Sequence, residues 1–401
     1  MLYDRRLSVL RNYTVFLILT PLFFVGFSTI ISPSIWFKIL PMASEVRYLD
    51  LSLLTYNVDC FTMGQTDLSS LNCDPGGRDF NYPLPLLQMF KLLNLGADST
   101  LVVGFLFLIV VIATFGLIHY MFIKNNSTIY ESVILSLSFV SPPVLLLLER
   151  ANVDILLFAL LVFVIFFARF RIVILLAGIV GFGLKVYLIG LAVFGLRRKD
   201  TIYFLIMLFS CSVWLLITYR DFIRVFQYSD YYEWGSFGIR ALPIQVFNYL
   251  QVSFSGKGLF LISNAVGLIL FASILWVVSR FMNSREHFPL FDLSTENATT
   301  RFCLAAGVWM TIYFIGLNFD MRIIFAFPLF FMLTSRVRFF SLLPFVFVLF
   351  SAFYLPWLQS IGDSFILFFT VLVFYQLLRI MRSNFLAVST RVFPSPNRRM
   401  V

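Results

Sequence analysis

The sequence predicts an all-α membrane protein that crosses the bilayer about 10–12 times. Of its 401 residues 60% are hydrophobic and only 12% are charged, and the mean hydropathy is +0.92. Soluble domains carry about 25% charged residues, so little of this chain can lie outside a membrane. No alternation of apolar and polar residues runs over ten-residue segments, which favours helices over a β-barrel.

Apolar runs long enough to cross roughly 30 Å of hydrocarbon give the candidate helices. They cover about 14–32, 100–123, 129–148, 153–168, 172–196, 202–219, 258–279, 302–317, 323–335, 340–358 and 364–381. The run 172–196 fits either one helix or two short helices folded back as a hairpin around Lys185. The hairpin is preferred, because it places most of the 30 Lys and Arg residues on the side of the N-terminus, as the positive-inside rule expects.

The simplest organisation is one membrane domain over residues 1–401, with both termini in the cytoplasm and a basic tail at 382–401. The first span resembles a signal anchor, because its apolar run is longer than the apolar run of a cleaved signal peptide. A bacterial inner membrane fits, with the functional site on the periplasmic side. The net charge of +10 then reflects topology, and no nucleic-acid partner is needed to explain it.

The long exoplasmic segment 33–98 follows the first span and is rich in acidic residues, among them Asp50 and Asp59. Its parts 33–43 and 84–95 are apolar but too short to span, so they are predicted to lie along the membrane surface. Long loops in compact proteins are more often functional than structureless. This layout brings the two aspartates close to the headgroup plane.

A second long exoplasmic segment covers 220–257 and combines cations with many aromatic residues. Its candidate binding cations are Arg220, Arg224 and Arg240. Arginine presents a planar fork of donors that suits a phosphate group. The segment is therefore a candidate for contact with a phosphorylated substrate.

Two cysteines of the first segment, Cys60 and Cys73, lie on the predicted oxidising side. A disulfide between them and a pair of unlinked thiols both fit the sequence. The only histidines are His119 and His287, so no His/Cys cluster has the spacing of a metal site. No cofactor is predicted with certainty, and a divalent cation stays an open alternative.

Several ionisable residues interrupt the apolar runs LLLLERANVDILLF, GFGLKVYLIG and IGLNFDMRIIF. They are Glu149, Arg150, Asp154, Lys185, Asp320 and Arg322, with the polar neighbours Asn152 and Asn318. A charge in the bilayer costs roughly 2.5–3.5 kcal/mol, so such groups pair with one another or line a polar cavity. They are therefore either structural ion pairs at helix ends or the floor of a substrate site.

The order of these motifs carries a resemblance. The motifs, in order, are an acidic first loop with Asp50 and Gly64, then FNYPLP, ERANVD, LKVY and GLNFDMR. This order resembles that of bacterial membrane proteins related to the polyprenol-phosphate-sugar-dependent mannosyltransferases of the glycosyltransferase C superfamily. The similarity spans roughly residues 1–335. It implies a multi-span helical fold, a sugar donor on a polyprenyl phosphate and an essential first-loop aspartate. The chain departs from the pattern at Leu68, where proline is usual, at Ala151, where glycine is more usual, and at Leu188, where proline is common.

By position, Asp50 best matches the essential aspartate, and Asp59 is the second candidate. The implied reaction is inverting transfer of a mannose-like hexose or a pentose to an exoplasmic glycan or lipid. A carboxylate would take the acceptor's hydroxyl proton. Cations would stabilise the departing lipid phosphate, with Arg220, Arg224 and Arg240 ahead of Lys185 and Arg322. The expected partners are therefore the lipid-linked sugar, a glycan or glycolipid acceptor and the bilayer.

Other functions stay open. A multi-span transporter or flippase of a lipid-linked or polar solute would also carry membrane-buried charges and a hairpin. A polymerase or ligase of lipid-linked glycans would share the lipid donor. A non-catalytic scaffold is the weakest alternative, since so many membrane-proximal charges are costly.

Overall fold

The computed structural model describes residues 48–65, 73–78, 80–122, 137–196, 200–227, 236–251, 256–283, 290–315, 318–351 and 356–392. The predicted first span, the surface segment 33–43, Leu68 and the end of the basic tail lie outside these residues. Within them the protein is almost entirely helical, which confirms the all-α prediction.

The described helices follow one another along the chain. The α-helices are α1 (Leu49–Thr62), α2 (Leu84–Leu92), α3 (Thr100–Phe122), α4 (Pro142–Arg150), α5 (Asp154–Phe166), α6 (Arg171–Leu184), α7 (Thr201–Gln227), α8 (Ala241–Tyr249), α9 (Gly256–Asn283), α10 (Glu296–Ile315), α11 (Phe327–Met332), α12 (Ser335–Ser351) and α13 (Pro356–Val392). The 3-10 helices are η1 (Ala97–Ser99), η2 (Val186–Leu196) and η3 (Asp320–Ala326). The strands β1 (Ser236–Phe237) and β2 (Asn318–Phe319) form one short antiparallel pair.

Among the described residues, four helical segments are long and apolar enough to cross a membrane. They are Ala97–Met121, Thr201–Asp221, Gly258–Met282 and Leu358–Ser383. Shorter apolar helices lie between them, at Asp154–Phe166, Arg171–Leu184, Val186–Gly195 and Arg322–Phe331. A helix of 13 residues such as α5 extends roughly 20 Å, less than the hydrocarbon thickness. The chain is thus a polytopic membrane protein that combines long apolar helices with shorter ones.

The run 172–196 is a hairpin. Helix α6 ends at Leu184, Lys185 is extended with φ −156° and ψ 137°, and η2 returns along α6. The two ends of the hairpin meet, since Arg171 Nε donates to Asp200 Oδ1 at 2.8 Å. The charge distribution therefore led to the right choice between one span and two short helices.

Close backbone contact holds the hairpin against α10. A Cβ atom added to Gly190 of η2 would collide with the carbonyl group of Gly307 in α10, and one added to Gly307 would collide with the carbonyl oxygen of Gly190. Only glycine permits such an approach, as in other tightly packed membrane helices. This glycine pair thus sets the position of the hairpin against α10, and with it the position of Lys185 at the hairpin tip.

A cluster of buried phenylalanines packs beneath the hairpin tip. The rings of Phe158 and Phe325 meet edge to face at 5.7 Å, and Phe115 and Phe327 meet in the same way at 5.7 Å. Each such pair stabilises by about 0.5–1.5 kcal/mol beyond the area it buries. These contacts join α3, α5, η3 and α11, so the residues that open α5 and η3 are held at fixed separation.

The described part of the segment 33–98 is built on a disulfide and two helices. Cys60 and Cys73 form a disulfide with their Cα atoms 6.5 Å apart. Helix α2 confirms the helix expected within 84–95, and Lys91 Nζ lies 4.7 Å from the centroid of the Phe61 ring of α1. The disulfide and this packing tie both sides of the segment to α1.

The described part of the segment 220–257 differs from a simple loop. Helix α7 continues to Gln227, past a kink at Thr218. Its last turns contain Arg220, Asp221 and Arg224. Asp221 and Arg224 stabilise these turns through an i,i+3 ion pair. A further helix, α8, follows before α9. Two of the three predicted arginines therefore lie on a helix.

Candidate functional site

Asp50 lies in the first turn of α1 and is 7% exposed. Its Oδ1 accepts a hydrogen bond from Arg78 Nη1 at 3.0 Å and lies 3.5 Å from Arg150 Nη1. Its Oδ2 accepts from Asn152 Nδ2 at 2.6 Å. The positive end of the helix dipole also favours a carboxylate at this position. Asp50 is thus fixed by groups from two separate parts of the chain, the turn that carries Arg78 and the motif ERANVD.

Arg78 is positioned by the turn that follows the disulfide. Its Nε donates to Asp74 Oδ2 at 2.9 Å and its Nη2 donates to the carbonyl oxygen of Leu49. Asp74 Oδ2 also accepts from the backbone N–H of Gly76 at 3.1 Å, which closes the turn. Burial lowers the pKa of the Arg78 guanidinium, but the hydrogen bond to Asp74 and the charge of Asp50 outweigh burial and raise it.

Asp154 opens α5 and is fully buried. Its Oδ1 accepts from Lys185 Nζ at 2.7 Å and from the Tyr187 hydroxyl, and its Oδ2 accepts from Arg322 Nε at 2.8 Å. A buried carboxylate is tolerated when it is paired and hydrogen-bonded in this way. One side chain therefore joins α5, the hairpin tip and η3.

Asn152 connects the two aspartates. Its Nδ2 donates to Asp50, and its Oδ1 accepts from the backbone N–H of Asp154 at 2.9 Å. The connection depends on Ala151, which adopts the left-handed conformation (φ 46°, ψ 50°) and turns the chain from α4 into α5. This is the conformation that glycine adopts without cost at helix C-termini. The motif ERANVD is thus a turn that bridges two ionic centres.

We call this set the Asp50–Asp154 cluster. It consists of Asp50, Arg78, Arg150, Asn152, Asp154, Lys185, Tyr187 and Arg322. Its carboxylate side chains are 9% and 0% exposed, whereas its four cationic side chains are between 13% and 23% exposed. The carboxylates are therefore innermost and the cations form the accessible edge, an arrangement that attracts anions.

The segment 80–84 covers one side of the cluster. Arg224 of α7 donates to the backbone carbonyl oxygens of Phe80 and of Tyr82, the latter at 2.7 Å. Asp221 Oδ2 accepts from the backbone N–H of Leu84 at 2.7 Å. The Tyr82 ring centroid lies 5.5 Å from Lys185 Nζ, and burial, followed by the charge of Asp50, raises the pKa of Tyr82. Arg224 thus holds the FNYPL segment beside the cluster.

Three residues that the sequence singled out make other contacts. Asp59 Oδ2 accepts from the backbone N–H of Ala97 at 2.9 Å, so it anchors the start of η1, and it lies nine residues, roughly 13 Å, along α1 from Asp50. Arg220 is exposed and donates to the Tyr219 hydroxyl at 3.1 Å. Arg240 is buried, with its guanidinium 4.5 Å from the Phe260 ring centroid. None of these contacts joins them to the cluster.

Glu149, Asn318 and Asp320 border the cluster through the backbone. The carbonyl oxygen of Glu149 accepts from the N–H of Tyr48 at 3.1 Å, which fixes the start of α1. Asn318 pairs with Phe237 in the short β-ladder, and Asp320 begins η3. The side chains of Asn318 and Asp320 lie outside the part of the protein that the structure describes.

Sequence reasoning missed Arg78, Tyr82 and Tyr187. Arg78 follows the turn CDPGG and Tyr187 lies two residues beyond Lys185, so both could have been suspected from their motifs. Within the described residues, no group of three or more His, Cys, Asp and Glu side chains could hold a metal ion. The ion pairs and hydrogen bonds of the cluster are suited to binding an anion or moving a proton.

Searches with the whole chain find no matching family model, curated protein or solved structure.

Proposed function

We propose that the protein is a membrane glycosyltransferase that moves a mannose-like hexose or a pentose from a polyprenyl phosphate to a glycan or lipid acceptor on the exoplasmic side. The observation that supports this most is the accessible edge of four cations held by two buried carboxylates within an apolar helical fold. A lipid-linked phosphate is the anion that such a membrane-embedded site would meet. The motif order that resembles the glycosyltransferase C superfamily supports the same choice.

The donor phosphate is assigned to the half of the cluster around Asp154. Lys185 carries three N–H donors and gives one of them to Asp154, and Arg322 lies beside it on the same carboxylate. Charge-assisted hydrogen bonds from both would stabilise the phosphate as it leaves with the electron pair of its bond to the sugar. This assignment moves Lys185 and Arg322 ahead of Arg220, Arg224 and Arg240 as phosphate ligands.

The acceptor is assigned to Asp50. A carboxylate has about four acceptor positions, and Arg78, Arg150 and Asn152 approach three of them. The remaining position would accept the proton of the acceptor hydroxyl while its oxygen attacks the anomeric carbon. Asn152 would keep this base at a fixed distance from the phosphate site.

The test is consumption of a radiolabelled polyprenyl-phosphate mannose or pentose by the purified protein in liposomes supplied with a membrane extract as acceptor. General-base catalysis contributes about 10²–10⁴-fold, so Asp50→Asn should reduce transfer by at least about 100-fold. Asp59→Asn is the matched control and should retain transfer, because Asp59 contacts Ala97 and not the cluster. Full transfer by Asp50→Asn would overturn the mechanism.

A transporter of a lipid-linked or polar solute is the second candidate. It is favoured by the break between α6 and η2 at Lys185 and by the short helices η3 and α11, since interrupted helices form the binding sites of many transporters. Uptake of a solute or movement of a lipid-linked sugar between leaflets, with no covalent change, would select this function. Loss of such flux in Lys185→Gln would place the same cluster on its pathway.

A further inference from the structure

A groove lies between α9 and α13, at the ends of two candidate membrane spans. Its volume is about 370 Å³, within the range of small-molecule sites. Trp276 and Ser279 line it from α9, and Tyr375, Arg379 and Arg382 line it from α13. Both sets of residues fall in the last turns of the spans Gly258–Met282 and Leu358–Ser383. The two apolar spans therefore end at the same membrane face.

The described residues around this groove carry an excess of positive charge. Arg379 and Arg382 are exposed, and Arg280 lies one turn beyond Trp276 with its guanidinium 5.6 Å from that ring's centroid. In the part of the chain that the structure describes, no carboxylate forms an ion pair with these arginines. Helix α9 contains no Asp or Glu, and the one acid of α13, Asp363, lies 16 residues before Arg379, roughly 24 Å away.

The groove is apolar on its membrane side. Ala272 and Leu275 of α9 and Leu378 of α13 line it below the arginines. Trp276 is 62% exposed, which is typical of an aromatic residue at the headgroup level of a bilayer. A site that is cationic at one end and apolar at the other matches a molecule with an anionic head and a hydrocarbon tail.

We propose that this groove binds an anionic phospholipid, with the phosphate on Arg379 and Arg382 and an acyl chain along Leu275 and Leu378. Arginine forks bind phosphate oxygens through paired, charge-assisted hydrogen bonds. Basic pockets between membrane helices are known to accept anionic headgroups. The Ser279 hydroxyl, which donates to the Trp276 carbonyl at 2.8 Å, can accept a hydrogen bond from a headgroup hydroxyl. The groove shares no residue with the Asp50–Asp154 cluster, so the lipid site stands whether or not the proposed activity does.

The test is titration of the purified full-length protein in phosphatidylcholine nanodiscs with phosphatidylglycerol, followed by native mass spectrometry and thermal unfolding. Saturable retention of phosphatidylglycerol and a raised melting temperature are expected. In the variant Arg379→Gln/Arg382→Gln the apparent affinity should fall by at least about tenfold, because two charge-assisted hydrogen bonds are lost. Arg169→Gln is the control, since Arg169 is an exposed arginine stacked on Phe170 outside the groove, and it should bind as the parent does.

Two further arms separate the possible outcomes. Inorganic phosphate at the same concentrations should not change the melting temperature. If phosphate raised the melting temperature as much as phosphatidylglycerol does, and only with both arginines present, the ligand would be a free anion and the proposal would be overturned. Ser279→Trp should block the groove while keeping both arginines, so it should also lose phosphatidylglycerol. Equal retention of phosphatidylglycerol by parent and double variant, or equal retention of added phosphatidylcholine, would likewise overturn it.

Discussion

The side-chain amide of Asn152 donates to Asp50 at 2.6 Å, across 102 residues of sequence, and thereby joins the start of α1 to the start of α5. The same side chain accepts from the N–H of Asp154. Because both aspartates bind cations from other segments, this amide couples two ionic centres into one. The cluster therefore depends on a neutral residue that brings no charge of its own.

Replacing Asn152 should disturb both centres at once. Asn152→Leu leaves a donor and an acceptor at a buried position without partners, at a cost of about 1–3 kcal/mol each. We expect a lower melting temperature in detergent and a loss of donor consumption. Asn264→Leu, at a half-buried amide that donates to the Phe260 carbonyl within α9 and lies outside the cluster, is the control and should change neither. Equal melting temperatures for the two variants would show that the bridge is dispensable.

The ion pairs on Asp154 should show strong coupling. Asp154→Asn removes the charge that two cations share, and breaking such a buried pair costs about 3–5 kcal/mol. Asp154→Asn/Lys185→Gln removes one unpaired cation as well, so it should unfold at a higher temperature than Asp154→Asn alone. A double-mutant cycle from thermal unfolding measures the coupling, and strict additivity would contradict the arrangement.

Ala151→Gly should stabilise the protein. Ala151 has φ 46°, a left-handed conformation that costs a residue with a Cβ atom roughly 1–2 kcal/mol and glycine almost nothing. We expect a higher melting temperature with activity retained. Ala177→Gly, in the interior of α6, is the opposite control and should destabilise by about 0.5–1 kcal/mol. A fall in stability for Ala151→Gly would mean that the alanine methyl group makes packing contacts that outweigh the backbone strain.

The disulfide between Cys60 and Cys73 should matter for both stability and the site. Closing a loop of this length stabilises by about 3 kcal/mol, and the bond also holds the turn that carries Asp74 and Arg78. Reductant should lower the melting temperature and the activity of the parent protein. Without reductant, the double variant Cys60→Ser/Cys73→Ser should already have the lower melting temperature and the lower activity. Added reductant should change neither of them further. A parent protein that is insensitive to complete reduction, verified by thiol alkylation, would exclude this role.

The fold class and the hairpin could be predicted because apolar run length and loop charge are local properties of the sequence. The sequence predicted that Asp154, Lys185 and Arg322 would each need a partner, because each is a charge in an apolar run. It did not predict that the three would meet at one point. Arg78 could not be assigned to Asp50, because the pairing depends on how the disulfide-bonded turn folds back over α1. The role of Asp59 could not be predicted either, because it depends on the approach of η1 to the end of α1.

Arg224 and Arg220 offer a direct test between a phosphate ligand and a structural clamp. Arg224 donates to the backbone at Phe80 and Tyr82, whereas Arg220 is exposed beside Tyr219. Arg224→Gln should therefore lower the melting temperature and the activity together, because segment 80–84 loses its anchor and buried carbonyls lose donors. Arg220→Gln should leave the melting temperature within the range of surface substitutions. If Arg224→Gln instead kept parental stability while the KM for the lipid-linked donor rose, Arg224 would bind the donor, and the sequence-based ranking of the arginines would be restored.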